Sequence, residues 1–149
     1  KYLSTSDVLD ELVSFGWIDG IRRKLDDDRT MQLISRRQTQ YWAKTYKDRA
    51  ARLIEDGRMA APGLQSIEEG KTSELWSFMD DVDALIMPDD LIAALQAASP
   101  ALEGFEGCAP SYRRNVLRWI KLAKTDATRA KRLAQTADFA ARGERIPQM

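Results

Sequence analysis

The sequence predicts an α+β fold that is predominantly α-helical, with a small antiparallel β-hairpin near the N-terminus packed on a helical bundle. Three observations predict it. Apolar residues recur at three- and four-residue spacing over most of the chain, as amphipathic helices require. Period-two alternation is confined to residues 21–35. Serine, aspartate or proline stands ahead of the apolar stripes and glycine behind them, where helix ends need capping groups and a left-handed residue.

Ser4-Thr5-Ser6-Asp7 opens the first helix, Val8, Leu9, Leu12 and Val13 form its apolar face, and Gly16 stops it. Asp19-Gly20 reads as a tight turn entering a strand, since Asp-Gly is a common turn dipeptide. Ile21, Arg23 and Leu25 then alternate up to the polar turn Asp26-Asp27-Asp28-Arg29, and Met31, Leu33 and Ser35 alternate after it. A lone hairpin is marginal in water, so these strands need a helix or further strands to lean on. Trp42, Tyr46, Ala50, Leu53 and Ile54 make the next helical stripe, ending at Gly57. Ala61-Pro62-Gly63 reads as a turn, residues 63–69 as a short helix, and residues 73–85 as another with a brief apolar face. Pro88-Asp89-Asp90 opens a helix to Ala98, its acids suited to the positive end of the dipole. Ser99 is placed as the next N-cap with Pro100 at the first helical position. Ser111 is expected to cap a long helix reaching Lys124, with Val116, Leu117, Ile120 and Ala123 inward. Asp126 is expected to cap the last, with Ala130, Leu133, Ala134 and Ala137 inward and Gly143 as its stop. With no repeat or linker in view, the chain is expected to be one domain over 1–149. Its parts are an N-terminal part, 1–70, carrying the hairpin, and a C-terminal helical module, 88–145.

Composition narrows the chemistry. The chain has 149 residues, 44% apolar and 31% charged, enough to bury a core. Its longest apolar stretches, 84–87 and 92–95, fall far short of the roughly 20 residues of a membrane span. Residues 1–15 are mixed polar and do not resemble a signal peptide, so a cytoplasmic location is expected. A single cysteine, Cys108, leaves no intramolecular disulfide and no Cys-rich zinc site; it reads as a small buried filler rather than a reactive thiol. The absence of histidine removes Ser-His-Asp and Cys-His machinery and His-based metal sites. No catalytic residue, metal or cofactor is therefore expected. Three consecutive acids, Asp26 to Asp28, lack the alternate spacing of a calcium loop and read as a solvated turn.

Net charge is zero but segregated. Residues 111–132 carry eight basic side chains against Asp126, whereas residues 66–106 carry ten acids against Lys71. Such asymmetry suits an anionic partner, or two segments that neutralise each other.

Gly16-Trp17-Ile18-Asp19-Gly20, the hairpin, the Arg–x₄–Trp segment from Arg37 to Trp42, and Gly57-Arg58-Met59 before Pro62-Gly63 together resemble the YdeI/OmpD-associated family, also labelled bacteriocin-protection-like. Pro88-Asp89-Asp90-Leu91, Ser111-Tyr112-Arg113-Arg114, Trp119-Ile120, Ala123-Lys124 and Thr128-Arg129 resemble its C-terminal module. The chain departs from the family pattern at Arg36-Arg37, where Pro-Arg is usual, and at Ala43, Tyr46 and Ala127. Family members usually carry a stretch of strand and helix ahead of the Gly-Trp-Ile-Asp segment, which this sequence is expected to lack. The resemblance implies a small cytosolic α+β protein tied to stress, antimicrobial-peptide tolerance or an outer-membrane porin, and no established reaction.

The sharpest feature is a set of arginines and tryptophans. Arginine presents a planar fork of donors to carboxylate or phosphate and stacks on indoles. The candidate ligand-binding residues are Trp17, Asp19, Arg37, Trp42, Arg58, Ser111, Arg114, Trp119, Lys124 and Arg129, with Ser111 adding backbone donors at a helix N-terminus. The competing reading buries the tryptophans in the core and pairs the arginines with the acidic middle segment. Asp19 beside Trp17 could serve as a desolvated base, but the turn explains it equally. A binding or interaction protein with a small anionic ligand or a protein partner is thus expected. The alternatives are an enzyme acting on an anionic substrate, and nucleic-acid binding through the basic C-terminal helices, which lacks any recognised motif.

Overall fold

The computed structural model describes residues 3–147. Among them are eight helices and one two-stranded antiparallel sheet, so the fold is α+β and predominantly helical, with the hairpin packed against helices. The chain forms two compact units, Lys1–Met79 and Asp80–Met149.

The first unit opens with α1, Thr5–Ser14, whose N-cap Ser4 accepts a hydrogen bond from the Asp7 N–H as the sequence predicts. The helix ends at Gly16, whose φ of +72° is left-handed. A Cβ there would also sit 2.8 Å from the Pro62 carbonyl oxygen, so glycine is required twice over. Strand β1, Trp17–Lys24, pairs with β2, Thr30–Arg36, through partners such as Trp17↔Arg36 and Arg23↔Met31. The strand therefore starts four residues earlier than the alternation indicated. Asp19-Gly20 is not a turn but lies inside β1, where the register shifts between Asp19 and Arg22. That irregularity breaks the period-two pattern and hides the strand's first half. Residues 26–29 do form the turn, held by Lys24–Asp27 and Arg29–Asp26 ion pairs.

Helices α2, Lys44–Glu55, and α3, Ala61–Thr72, complete this unit's regular structure. Its core gathers Val13, Trp42, Ala50, Leu53 and Ile67, with Tyr46, Met59 and Trp76 packed against them. Ala61-Pro62-Gly63 is the first turn of α3 rather than a separate turn. Proline is tolerated there because first-turn N–H groups have no helical partner anyway. Residues 73–79 are turns, and helix resumes only as the single turn α4, Asp80–Asp83. The expected helix over 73–85 is thus not formed. Glu74 adopts a φ of 63°, the Trp42 N–H bonds the Leu75 carbonyl, and the Trp76 N–H bonds that of Gly70. The segment's backbone bonds run back to the end of α3 and, through the Leu75 carbonyl, to Trp42, instead of continuing a helix.

In the second unit, α5 is Asp89–Ala97, α6 Ala101–Glu106, α7 Pro110–Lys121 and α8 Asp126–Ala141. Buried here are Leu91, Leu95, Phe105, Tyr112, Val116, Leu117, Ile120, Ala137, Ala140 and Ile146. Three caps differ from expectation. Pro100 and not Ser99 is the N-cap of α6, and Ala109 with Pro110 opens α7, leaving Ser111 exposed within its first turn. Thr125 rather than Asp126 caps α8, accepting from the Thr128 N–H. The buried face of α8 is also rotated: Ala130 and Ala134 are exposed while Thr136, Ala137 and Ala140 are buried. Alanine stands on several faces of this helix, so apolar periodicity could not choose among them. Thr136 is admitted because its hydroxyl donates to the Arg132 carbonyl one turn back.

Candidate functional site

The best-formed cavity of the first unit is a cleft of about 540 Å³. One wall is the junction between α1 and β1 (Phe15, Gly16, Trp17), a second is the end of β2 (Arg36, Arg37, Gln38), and a third is α3 (Pro62, Gln65, Ser66, Glu69). Close packing fixes these walls. The Ala60 N–H bonds the Ser14 carbonyl at 3.1 Å, the Arg37 N–H bonds the Gly16 carbonyl at 2.9 Å, and Gly63 approaches the Ser14 carbonyl too closely for any side chain.

Arg37 is the central feature. It is only 5% exposed, and its guanidinium lies over the Trp42 ring at 4.1 Å from the centroid and near the Tyr46 ring at 4.8 Å. Nη1 donates to the Tyr41 carbonyl at 3.2 Å and more weakly to that of Gln40. Nη2 is buried and makes no hydrogen bond. Burial pulls the Arg37 pKa down to about 10, opposed by the nearby Tyr46 and Asp19, so the group remains cationic at neutral pH. Asp19 accepts from the Tyr46 hydroxyl through one oxygen and from Gln32 Nε2 at 3.0 Å through the other. Burial, reinforced by that bond to Asp19, pushes the Tyr46 phenol up to about 12.

The structure divides the ten candidate residues. Trp17, Asp19, Arg37 and Trp42 gather at and behind this cleft. Arg58 does not join them, bonding Glu11 at 3.1 Å and Asp10 at 3.5 Å. Ser111, Arg114, Trp119, Lys124 and Arg129 belong to the second unit. There Arg129 grips Asp90 with two bonds of 2.6 and 2.8 Å, and Trp119 is covered by Arg132 at 4.9 Å. Lys121 similarly holds Asp81. Two basic residues of the C-terminal run, Lys121 and Arg129, thus pair with acids of the 66–106 segment. Cys108 is half-buried just beyond α6, with its thiol directed at the Gly104 carbonyl.

Two features escaped sequence reasoning. Arg36 was noted only as a departure from the family pattern, yet it is exposed on the cleft wall with no ion pair among the described residues. The other is Asp10, buried and shared by Arg49, Arg52 and Arg58. The bond from Arg52 leads the effects that hold its carboxyl below the usual carboxylate range. An acid on the inward edge of α1, with arginines three apart on α2, was the available signal.

These features define an α+β protein of two compact units, the first carrying an arginine- and tryptophan-walled cleft. Residues 84–143, most of the second unit, match the family described as bacteriocin-protection, YdeI or OmpD-associated. Residues 1–66 match a second family, described as a domain of unknown function, which covers the Gly-Trp-Ile-Asp and Arg37–Trp42 motifs. Neither the curated proteins nor the solved structures contain a match to the chain.

Proposed function

We propose that the protein is a non-enzymatic binding protein whose first unit holds a small anionic ligand in the cleft between Trp17, Arg36 and α3. The observation that carries this reading is Arg37. A buried guanidinium whose Nη2 lacks a partner, directly behind a ligand-sized cavity, places fixed positive charge where the dielectric is low. Arg36 supplies a solvent-accessible donor fork at the same wall, and Trp17 an apolar surface. Asp19 commits both oxygens to Tyr46 and Gln32, which weighs against its acting as a base. The pairing of Lys121 and Arg129 with acids weighs against a nucleic-acid surface on the last two helices. A role in antimicrobial-peptide tolerance accords with the bacteriocin-protection description of the family that residues 84–143 match, and a cytoplasmic place in envelope stress is part of the same proposal.

The test is a thermal-shift series with inorganic phosphate, citrate and nucleotides at low and moderate salt. A ligand at a hundred times its dissociation constant adds about 2.7 kcal/mol, several degrees for a chain of this size. One anion should raise the melting temperature of the wild type and fail to do so for Arg36→Ala. Stabilisation that survives Arg36→Ala, or none from any anion, would overturn the reading.

A further inference from the structure

The same cleft carries one charge that a simple anion would not want. Glu69 lines it from α3 and is exposed, and its carboxylate accepts a bond from the neutral Gln65 side chain at 2.8 Å. Its neighbour Glu68, by contrast, is paired with Lys71. Arg36 and Glu69 are therefore two oppositely charged side chains on separate walls of one cavity, and neither has an ion-pair partner among the described residues. They are not paired with each other either. The same cleft is lined by the neutral side chains of Gln38, Gln65 and Ser66 and by the aromatic residues Phe15 and Trp17.

Resting on the anion-binding reading above, we infer that the ligand of this cleft is a zwitterion with an apolar side chain, a short peptide with free termini. Its carboxylate meets Arg36, with the field of buried Arg37 behind it, and its ammonium meets Glu69. A cavity of about 540 Å³ lies within the range of small-ligand sites. It can take two or three residues, each adding at most about 3.5 Å of chain. Phe15, half exposed at the cleft mouth, offers the surface against which the peptide's apolar group is covered.

Isothermal titration calorimetry with the full chain decides it, using alanyl-phenylalanine, its N-acetyl derivative, its C-terminal amide, and citrate. Each end group should be worth about fivefold in affinity, the value of a half-exposed ion pair. The free dipeptide should bind most tightly, with N-acetylation and amidation each weakening it by about that factor. Glu69→Gln, which keeps an oxygen for Gln65, should remove the penalty of acetylation and leave that of amidation. Arg36→Gln should do the reverse. Equal binding of the acetylated and free dipeptides by the wild type would sink the zwitterion while leaving the anion site standing. Binding of citrate but not of any dipeptide would do the same. Failure of all three dipeptide forms would remove the peptide reading, and the anion reading would then stand or fall on the thermal-shift series.

Discussion

The Arg37 guanidinium lies 4.1 Å from the centroid of the Trp42 ring, and both side chains are almost wholly buried. This stack joins the end of β2 to the hydrophobic core, because Trp42 also touches Trp76 at a centroid distance of 5.0 Å. A flat cation over an indole in a desolvated setting is worth up to about 2 kcal/mol. The bonds from Nη1 to backbone carbonyls add about 1 kcal/mol or more. Arg37→Ala should therefore cost about 2–3 kcal/mol in urea denaturation. Arg37→Lys should recover little of it, since an ammonium cannot both stack flat and reach the Tyr41 carbonyl. A lysine variant within about 0.5 kcal/mol of wild type, the range of an ordinary surface substitution, would show that charge alone suffices at this position.

The hydroxyl bond from Tyr46 to Asp19 has a signature in alkali. Burial raises the phenol's folded pKa to about 12 from its usual 10. A group whose folded pKa is raised binds its proton more tightly in the native state. Its stabilising contribution is thus complete below pH 10 and is lost as pH climbs through 12. In the tyrosinate absorbance titration, wild type minus Tyr46→Phe should show one phenol ionising near pH 12. Over pH 10–12 wild-type stability should fall relative to that of the variant. A difference curve with its midpoint at pH 10 would mean that Tyr46 is not buried against Asp19.

How much of this could be read in advance differs between element types. The N-terminus of α1 and the inward faces of α2 and α7 follow from local chemistry: Ser4 for the cap, Ala50 and Leu53, and Val116, Leu117 and Ile120 at helical spacing. What stayed hidden was decided by tertiary contacts. The first half of β1 disappears into a register shift at Asp19, and residues 73–76 bond back to α3 and, through Leu75, to Trp42. The phase of α8 is set by packing rather than by hydropathy, because Gly104 of α6 sits against the Ala140 carbonyl. For the site, residue types were legible and grouping was not. Sequence marks Arg37 and Arg129 alike as candidates, but only folding brings Asp90 to Arg129 and leaves Arg37 Nη2 without a partner.

Asp10 predicts the acid limb of the stability curve. The bond from Arg52, followed by that from Arg49, holds its carboxyl below the usual aspartate value in the folded state. With the folded pKa depressed, the contribution is present above the unfolded value near 3.8 and drains away as pH falls through the folded one. Asp10→Asn leaves Arg49, Arg52 and Arg58 facing one another around a neutral amide. It should cost about 2 kcal/mol at pH 7, less than a fully buried pair because Arg52 and Arg58 are half exposed. Melting curves from pH 7 to 2 should show wild type and variant converging as the pH falls below the ordinary carboxylate range. A constant gap would mean that Asp10 acts through packing and not through charge.

Gly70 is where α3 presses on the Trp42 indole. A Cβ at this position would lie 2.5 Å from Trp42 Nε1, inside any real contact. Gly70→Ala would favour an isolated helix by up to about 1 kcal/mol, so intrinsic propensity and packing predict opposite signs. Overpacking of this kind costs about 1–3 kcal/mol. Packing should win, with a net loss of about 1–2 kcal/mol and an altered tryptophan emission as the indole is displaced. Because the indole supports Arg37, ligand affinity in the cleft should also fall. A stabilised Gly70→Ala protein would show that Trp42 moves aside without strain.

The Arg129–Asp90 pair separates structural from ligand-binding arginines. Its two bonds are short, but both side chains are partly exposed, at 31% and 43%, so solvent screening limits its value to about 0.5–1 kcal/mol. Asp90 also stands in the first turn of α5, where a carboxylate gains from the helix dipole. Asp90→Asn should accordingly cost about 1 kcal/mol, slightly more than Arg129→Ala, which replaces arginine with the best helix former. The double variant should return a coupling of about 0.5–1 kcal/mol in a double-mutant cycle. None of the three proteins should change the affinity of the cleft for its ligand. A drop in that affinity on removing Arg129, without a matching drop for Asp90→Asn, would restore Arg129 to the ligand site and break the division between the two kinds of arginine.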